Sequence, residues 1–160
     1  MNNEEASSKI ILALDASSTN VGWCLAQGEQ YLDSGVYHPQ GDANQRIRDI
    51  ARWMEQLAFD HDPDLVAIEE PVGHHGNLKT DRLLARVVGC IEGVCTLKSI
   101  PTQLIHAMKV KATGFSKSTA WAAALLIDKT EVGPDEADAI GVWQATLRLL
   151  NMAYFTSLSL

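Results

Sequence analysis

Four carboxylates stand where apolar runs stop or start: Asp15, Glu69, Asp135 and Asp138. Asp15 ends the run Ile10, Ile11, Leu12, Ala13, Leu14. Glu69 ends Leu65, Val66, Ala67, Ile68, and the other two open the last apolar stretch. Gathering such groups beside hydrophobic segments is unfavourable unless a cation neutralises them. Oxygen-only ligands at this charge density favour magnesium, with manganese as a substitute. The chemistry that suits them is metal-dependent phosphodiester cleavage.

Each acid also has an ordinary use. Asp15 can cap a turn, and Asp135 and Asp138 lie where a helix macrodipole favours negative charge. The pairing of Asp15 with Glu69 shifts the balance, because they end the two runs that read as fully buried strands. If those strands are parallel neighbours, the carboxylates meet at the sheet's carboxyl edge, where open α/β sheets hold ligands. Glu70 points to the opposite face from Glu69 and is the alternative ligand at that edge. Asp135 and Asp138, three apart, share one helix face, and Glu136 points away. The string Asp135-Glu136-Ala137-Asp138 also spells a helicase signature. No Gly-x-x-x-x-Gly-Lys-Ser/Thr loop accompanies it, so that reading fails.

The elements that must position these acids follow from periodicity and punctuation. Strands are expected at 9–16, 21–26 and 31–37, joined by tight turns into an antiparallel meander. A helix over 42–59 carries Ile47, Ile50, Ala51, Met54, Leu57 and Ala58 at three- and four-residue spacing. A short strand over 65–69 is apolar on both faces, as a central parallel strand should be. After a loop at 72–77 comes a helix over 78–97, then a weak strand near 99–104 and a loop at 112–116. Ser116 or Ser118 is the expected cap of a helix ending near 128. The last helix begins at Gly133, Pro134 and Asp135. This order specifies an α/β mixed sheet flanked by helices.

A chain of 160 residues, 46% hydrophobic and 21% charged, suits one soluble domain. Residues 1–8 read as a disordered tail with no signal-peptide pattern and residues 9–160 as the domain, which implies a cytoplasmic protein without a membrane partner. Cys24, Cys90 and Cys95 lie among apolar neighbours without zinc-ligand spacing and read as buried, reduced thiols. The net charge of -7 argues against nucleic acid, but residues 79–117 hold seven basic residues against two acidic ones. Lys79, Arg82, Arg86, Lys98, Lys109, Lys111 and Lys117 form that segment's basic set, the pattern of a local phosphate-binding surface or, on charge alone equally, of a solvated helix face with scattered lysines.

Asp15-x-Ser17-x-x-x-x-Gly22, Ala67-Ile68-Glu69 and Asp135-x-x-Asp138-Ala139, in this order and element context, resemble the RuvC-type Holliday junction resolvases. The resemblance spans residues 10–150 and implies the ribonuclease H-like fold, a five-stranded mixed sheet. It implies that Asp15, Glu69, Asp135 and Asp138 are the catalytic metal ligands, holding two magnesium ions per site. Lys111 and Lys117 take the places of the family's functional lysines. It also implies a homodimer that nicks a four-way DNA junction symmetrically on two strands. Helix 78–97 is the candidate interface, with Lys79, Arg82 and Arg86 flanking the DNA, or else an ordinary core helix; Lys109 joins the basic set, although surface solvation alone explains it. The chain departs from the family in several places. Ala16-Ser17 replaces Pro-Gly, the net charge is acidic, and where an aromatic wedge is usual stand His74 and His75, which read as polar loop residues or, alternatively, as side chains that stack on a base at the branch point. These features suggest a divergent, phage-encoded member acting in a bacterial or phage-infected cell. The competing readings are a ribonuclease H-like nuclease for RNA-containing or other branched substrates, an actin-like ATP-binding domain, and a binding module that needs no acids.

Overall fold

In the computed structural model, residues 8–71, 78–115 and 117–157 are described; for Lys117 and residues 152–157 the description covers backbone only. Alternating burial along β1 (Ile10–Ala16) directs Ile11 and Ala13 to one core and Leu12 and Leu14 to another. β2 (Val21–Gln27) and β3 (Gln30–Tyr37) complete the antiparallel meander, and β4 (Leu65–Glu69) and β5 (Thr102–Ile105) extend it in parallel. The five strands lie in the order β3-β2-β1-β4-β5. Parallel strands need a crossover, and helices α1 (Ala43–His61) and α2 (Leu78–Leu97) supply the two.

One face of the sheet carries α1 and α2. Asp42 caps α1 by accepting from the Asn44 and Gln45 N–H groups, while Gln45 reaches back to the Asp42 N–H. Ile50, Met54 and Leu57 of α1 and Val87, Val88, Ile91 and Cys95 of α2 pack on Leu12, Leu14, Val66 and Ile68. The apolar stripe of α2 is thus occupied by its own core. Its outer face presents Arg82, Ala85, Arg86, Gly89 and Gly93 to solvent.

The opposite face carries α5 (Pro134–Ser157), apolar on nearly every side. A helix buried all round must be covered on its outer side as well. Two short helices belong to that cover: α3 (Ala107–Lys111), and α4 (Ala120–Leu126) led by a 3₁₀ turn at Lys117–Thr119. The sequence pattern missed α3, whose five residues are too few to show a period. Ser118 lies inside the 3₁₀ turn and does not cap α4, whose N-cap is Thr119, without a side-chain capping bond; the Thr119 hydroxyl donates to the Gly114 carbonyl at 2.7 Å, and Ser116 lies outside the described residues. The expected disordered tail lies outside the described residues except for Ser8, whose carbonyl accepts from Gln27 Nε2 at 3.1 Å. Cys24 and Cys95 are buried and Cys90 half-buried, all three free, and burial raises each thiol's pKa, that of Cys95 to about 11. No helix among the described residues is long and apolar enough to cross a membrane.

Candidate active site

Register brings the first two acids together. β1 and β4 pair in parallel up to Leu14 and Ile68, and one residue further along each strand stand Asp15 and Glu69. Alternation puts both on the face of Ala13 and Ala67, towards α5. Glu70 has the opposite parity, and its N–H donates to the Ile105 carbonyl at 2.9 Å. Both glutamates nevertheless line the same cleft, since the chain leaves the sheet there at Pro71.

The third segment arrives through a glycine. Gly22 pairs with Asp15 across β1 and β2, and a Cβ on Gly22 would overlap the backbone carbonyl of Asp135. Absence of a side chain lets the first turn of α5 sit directly on the sheet beside Asp15. Small residues continue this seat, with Ala13, Ala26 and Ala67 under Ala137, Ala139 and Ile140.

Asp15, Glu69, Glu70 and Asp138 line an open cleft of about 640 Å3. Thr80, Asp81 and Leu84 of α2 form one wall, and His106, Met108 and Lys111 form another. Asp135 lies beside the cleft: Asn20 Nδ2 donates to its Oδ2 at 2.9 Å. The amide oxygen of Asn20 accepts in turn from His38 Nδ1, also at 2.9 Å, an assignment that follows from Asn20 donating to a carboxylate. The turn holding Asn20 is closed by Ser17, whose Oγ donates to the Asn20 carbonyl at 2.7 Å.

The donors are all oxygen, which fits a hard divalent cation. As the side chains stand, no three acidic, histidine or cysteine groups among the described residues are close enough to hold an ion.

Glu136 of the same turn has a different fate. It is 9% exposed and faces β3, where Ser34 Oγ donates to it at 2.5 Å and Lys129 Nζ pairs with it at 2.9 Å. Burial alone would raise its pKa, but the bonds from Ser34 and Lys129 and the lysine's charge hold it below the usual carboxylate range. Burial works to lower Lys129, yet bonds to Glu136 and Tyr31 leave it raised.

The basic residues divide. Lys111 lines the cleft, and Lys79 and Arg82 are exposed around the α2 wall. Lys109 is exposed outside the cleft lining, Lys98 pairs with Glu55 at 3.8 Å, and Arg86 Nη2 donates to Asn44 Oδ1 of α1 at 2.8 Å. The side chain of Lys117, and His74 and His75 altogether, lie outside the described residues. Sequence reasoning missed Asn20, His38, Asp81 and His106. A usable signal existed for His106, which directly follows β5 at the edge where Asp15 and Glu69 sit.

No family model and no curated protein matches the sequence. Solved structures do match the fold. Thermus thermophilus RuvC in complex with a Holliday junction substrate superposes with a TM-score of 0.78 at 17% identity, covering 90% of this chain and 96% of that one. A second Thermus thermophilus RuvC structure gives 0.73 at 18% identity, with the same coverage of both chains. The yeast mitochondrial Holliday junction resolvase Ydc2 gives 0.66 at 12% identity, covering 96% of this chain and 85% of that one. The chain therefore has the ribonuclease H-like fold of the RuvC-type resolvases, a five-stranded mixed sheet flanked by helices.

Proposed function

We propose that the protein is a metal-dependent DNA endonuclease that resolves four-way junctions by paired symmetric nicks. The carrying observation is the register that sets Asp15 beside Glu69 at the edge of a cleft also lined by Asp138. Its fold likeness to two resolvases, one solved with a junction, supplies the substrate class.

In this reading Asp15, Glu69 and Asp138 hold magnesium or manganese, with Asp135 joining them from the Asn20 side. Such ions, when bound, acidify a water and stabilise the leaving oxygen. Asp15, on the rigid central strand, fixes where the scissile phosphate must lie. Lys111 on its wall faces the phosphate's negative charge and offsets its growth during cleavage. Lys117, at the start of the 3₁₀ turn, is assigned the same task, and His74 and His75 contact with the branch point. Two symmetric cuts require two sites related by a dyad, so the working form is a C2 homodimer.

Cleavage of a labelled four-way junction with magnesium, beside linear duplex, Y-fork and RNA–DNA hybrid, tests the proposal. Paired symmetric nicks in the junction, absent in Asp15→Asn and in chelator, are expected. Cutting confined to hybrid or fork would replace the substrate but keep the acids. No metal-dependent cutting of any of them would remove the nuclease reading.

A further inference from the structure

A second groove, away from the cleft, is lined by Gln40, Gly41, Gln45, Arg48, Asp49 and Arg52 and measures about 620 Å3. Arg48 and Arg52 are one helical turn apart on the exposed side of α1, and neither forms an ion pair with a described residue. Acids are near but turned elsewhere. Asp49 Oδ2 accepts from Tyr37 Oη at 2.8 Å and from the Gln40 N–H at 2.9 Å. The Tyr37 ring stacks on Trp53 with centroids 4.7 Å apart, which fixes that arrangement. Asp42 commits its Oδ1 to the first turn of α1. Both acids feel the arginines' charge, but their hydrogen-bonding oxygens serve the backbone and Tyr37.

A chain of hydrogen bonds links the rim of this groove to the candidate active site. Asp135 is bonded to Asn20 and Asn20 to His38; the His38 carbonyl accepts from Gln40 Nε2 at 2.8 Å, and Gln40 is bonded to Asp49. Arg52 also lines a further depression of about 470 Å3 with Glu55, Gln56, Phe59 and Lys98. Two open depressions in series, sharing one arginine, suit an extended polyanion better than a small one. Guanidinium groups recognise phosphate with a planar fork of donors, and contacts of this kind set register without reading sequence.

We infer that Arg48 and Arg52 form a phosphate-backbone contact surface for duplex DNA, gripping the arm that runs from the candidate active site across the β3 edge. The inference takes its ligand class from the proposed function, but its test needs no cleavage. Binding of a four-way junction and of a linear duplex is measured against salt concentration, with Asp15→Asn as the parent protein. Replacing both arginines with glutamine should flatten the slope of log affinity against log salt by about 2, one for each lost phosphate contact. From 50 to 200 mM salt the parent should then lose roughly ten-fold more affinity than the variant. Arg48→Lys with Arg52→Lys should keep the slope, and shortening the junction arms should abolish the difference between parent and glutamine variant.

An unchanged slope in the glutamine variant would overturn the inference, whether or not affinity falls. So would a change confined to RNA–DNA hybrid or to an acidic peptide. Circular dichroism on each variant separates misfolding from lost contact, and Arg52→Gln alone, expected to flatten the slope by about 1, gives a second reading if the pair misfolds. A protein that fails to cut junctions but binds duplex through these arginines would lose the resolvase reading and keep this one.

Discussion

The first turn of α5 carries acids with opposite environments. Glu136 points into the molecule and meets its neutralising cation there, with Ser34 completing its bonds. Asp135 and Asp138 point to the sheet edge, where Asp135 receives the neutral amide of Asn20 and Asp138 borders an open cleft. Burial and a built-in lysine make a fixed structural pair, whose charge is settled on folding. The edge carboxylates Asp15, Glu69 and Asp138 instead line an open cleft. Backbone direction over a few residues separates the two roles.

The largest effect is expected at the open edge. Asp15→Asn should lower junction cleavage by about a thousand-fold or more, since metal-centred charge stabilisation amounts to several kcal/mol, while the melting temperature holds or rises. A large loss of stability with cleavage retained would move Asp15 to the structural side. Gly22→Ala comes next. Its methyl group must displace the Asp135 backbone, so both sides of the turn should suffer: overpacking costs about 1–3 kcal/mol in denaturant unfolding, and cleavage falls with it.

Asn20→Ala sharpens the contrast, because it touches only the edge side. Partners that orient a metal ligand typically change metal affinity by about 10–100-fold, so the variant should need that much more magnesium for half-maximal cleavage, with restored rate at saturation. An unchanged requirement would leave Asn20 a turn residue. Glu136→Gln is the reciprocal test. It should cost about 1–3 kcal/mol of stability, discounted because Lys129 is about one-third exposed, and leave the magnesium requirement alone.

The smallest effect is in pH. The Glu136 carboxyl is held low, so its stabilisation is complete above the ordinary glutamate range and is lost as pH falls through the depressed value. Lys129 is held high, so its share is present below the ordinary lysine value of 10.5 and fades as pH rises through the raised one. Urea unfolding should show the pair at full strength near neutral pH, weakening at both extremes, and Glu136→Gln should flatten both limbs.

Strand and helix placement was largely legible along the chain, since Leu12 and Leu14 against Ile11 and Ala13 already imply a sheet covered on both faces, and Ile50, Met54 and Leu57 already imply a helix stripe. The edge position of Asp15 and Glu69 was legible for the same reason: a carboxylate after a buried run must sit at its end. Local sequence could not set the distances between segments. Asn20 and Asp135 are 115 residues apart, and Ser34 and Glu136 are 102 apart; no periodicity links them. Nor could it set the sharing out of basic residues, in which Arg86 of the favoured segment is turned to Asn44 while Arg48 and Arg52, in a helix with no net basic excess, line a groove. Secondary structure answers to hydrophobic pattern over a few residues. Which charge meets which is decided by packing, because it depends on where a glycine lets one helix settle on a sheet.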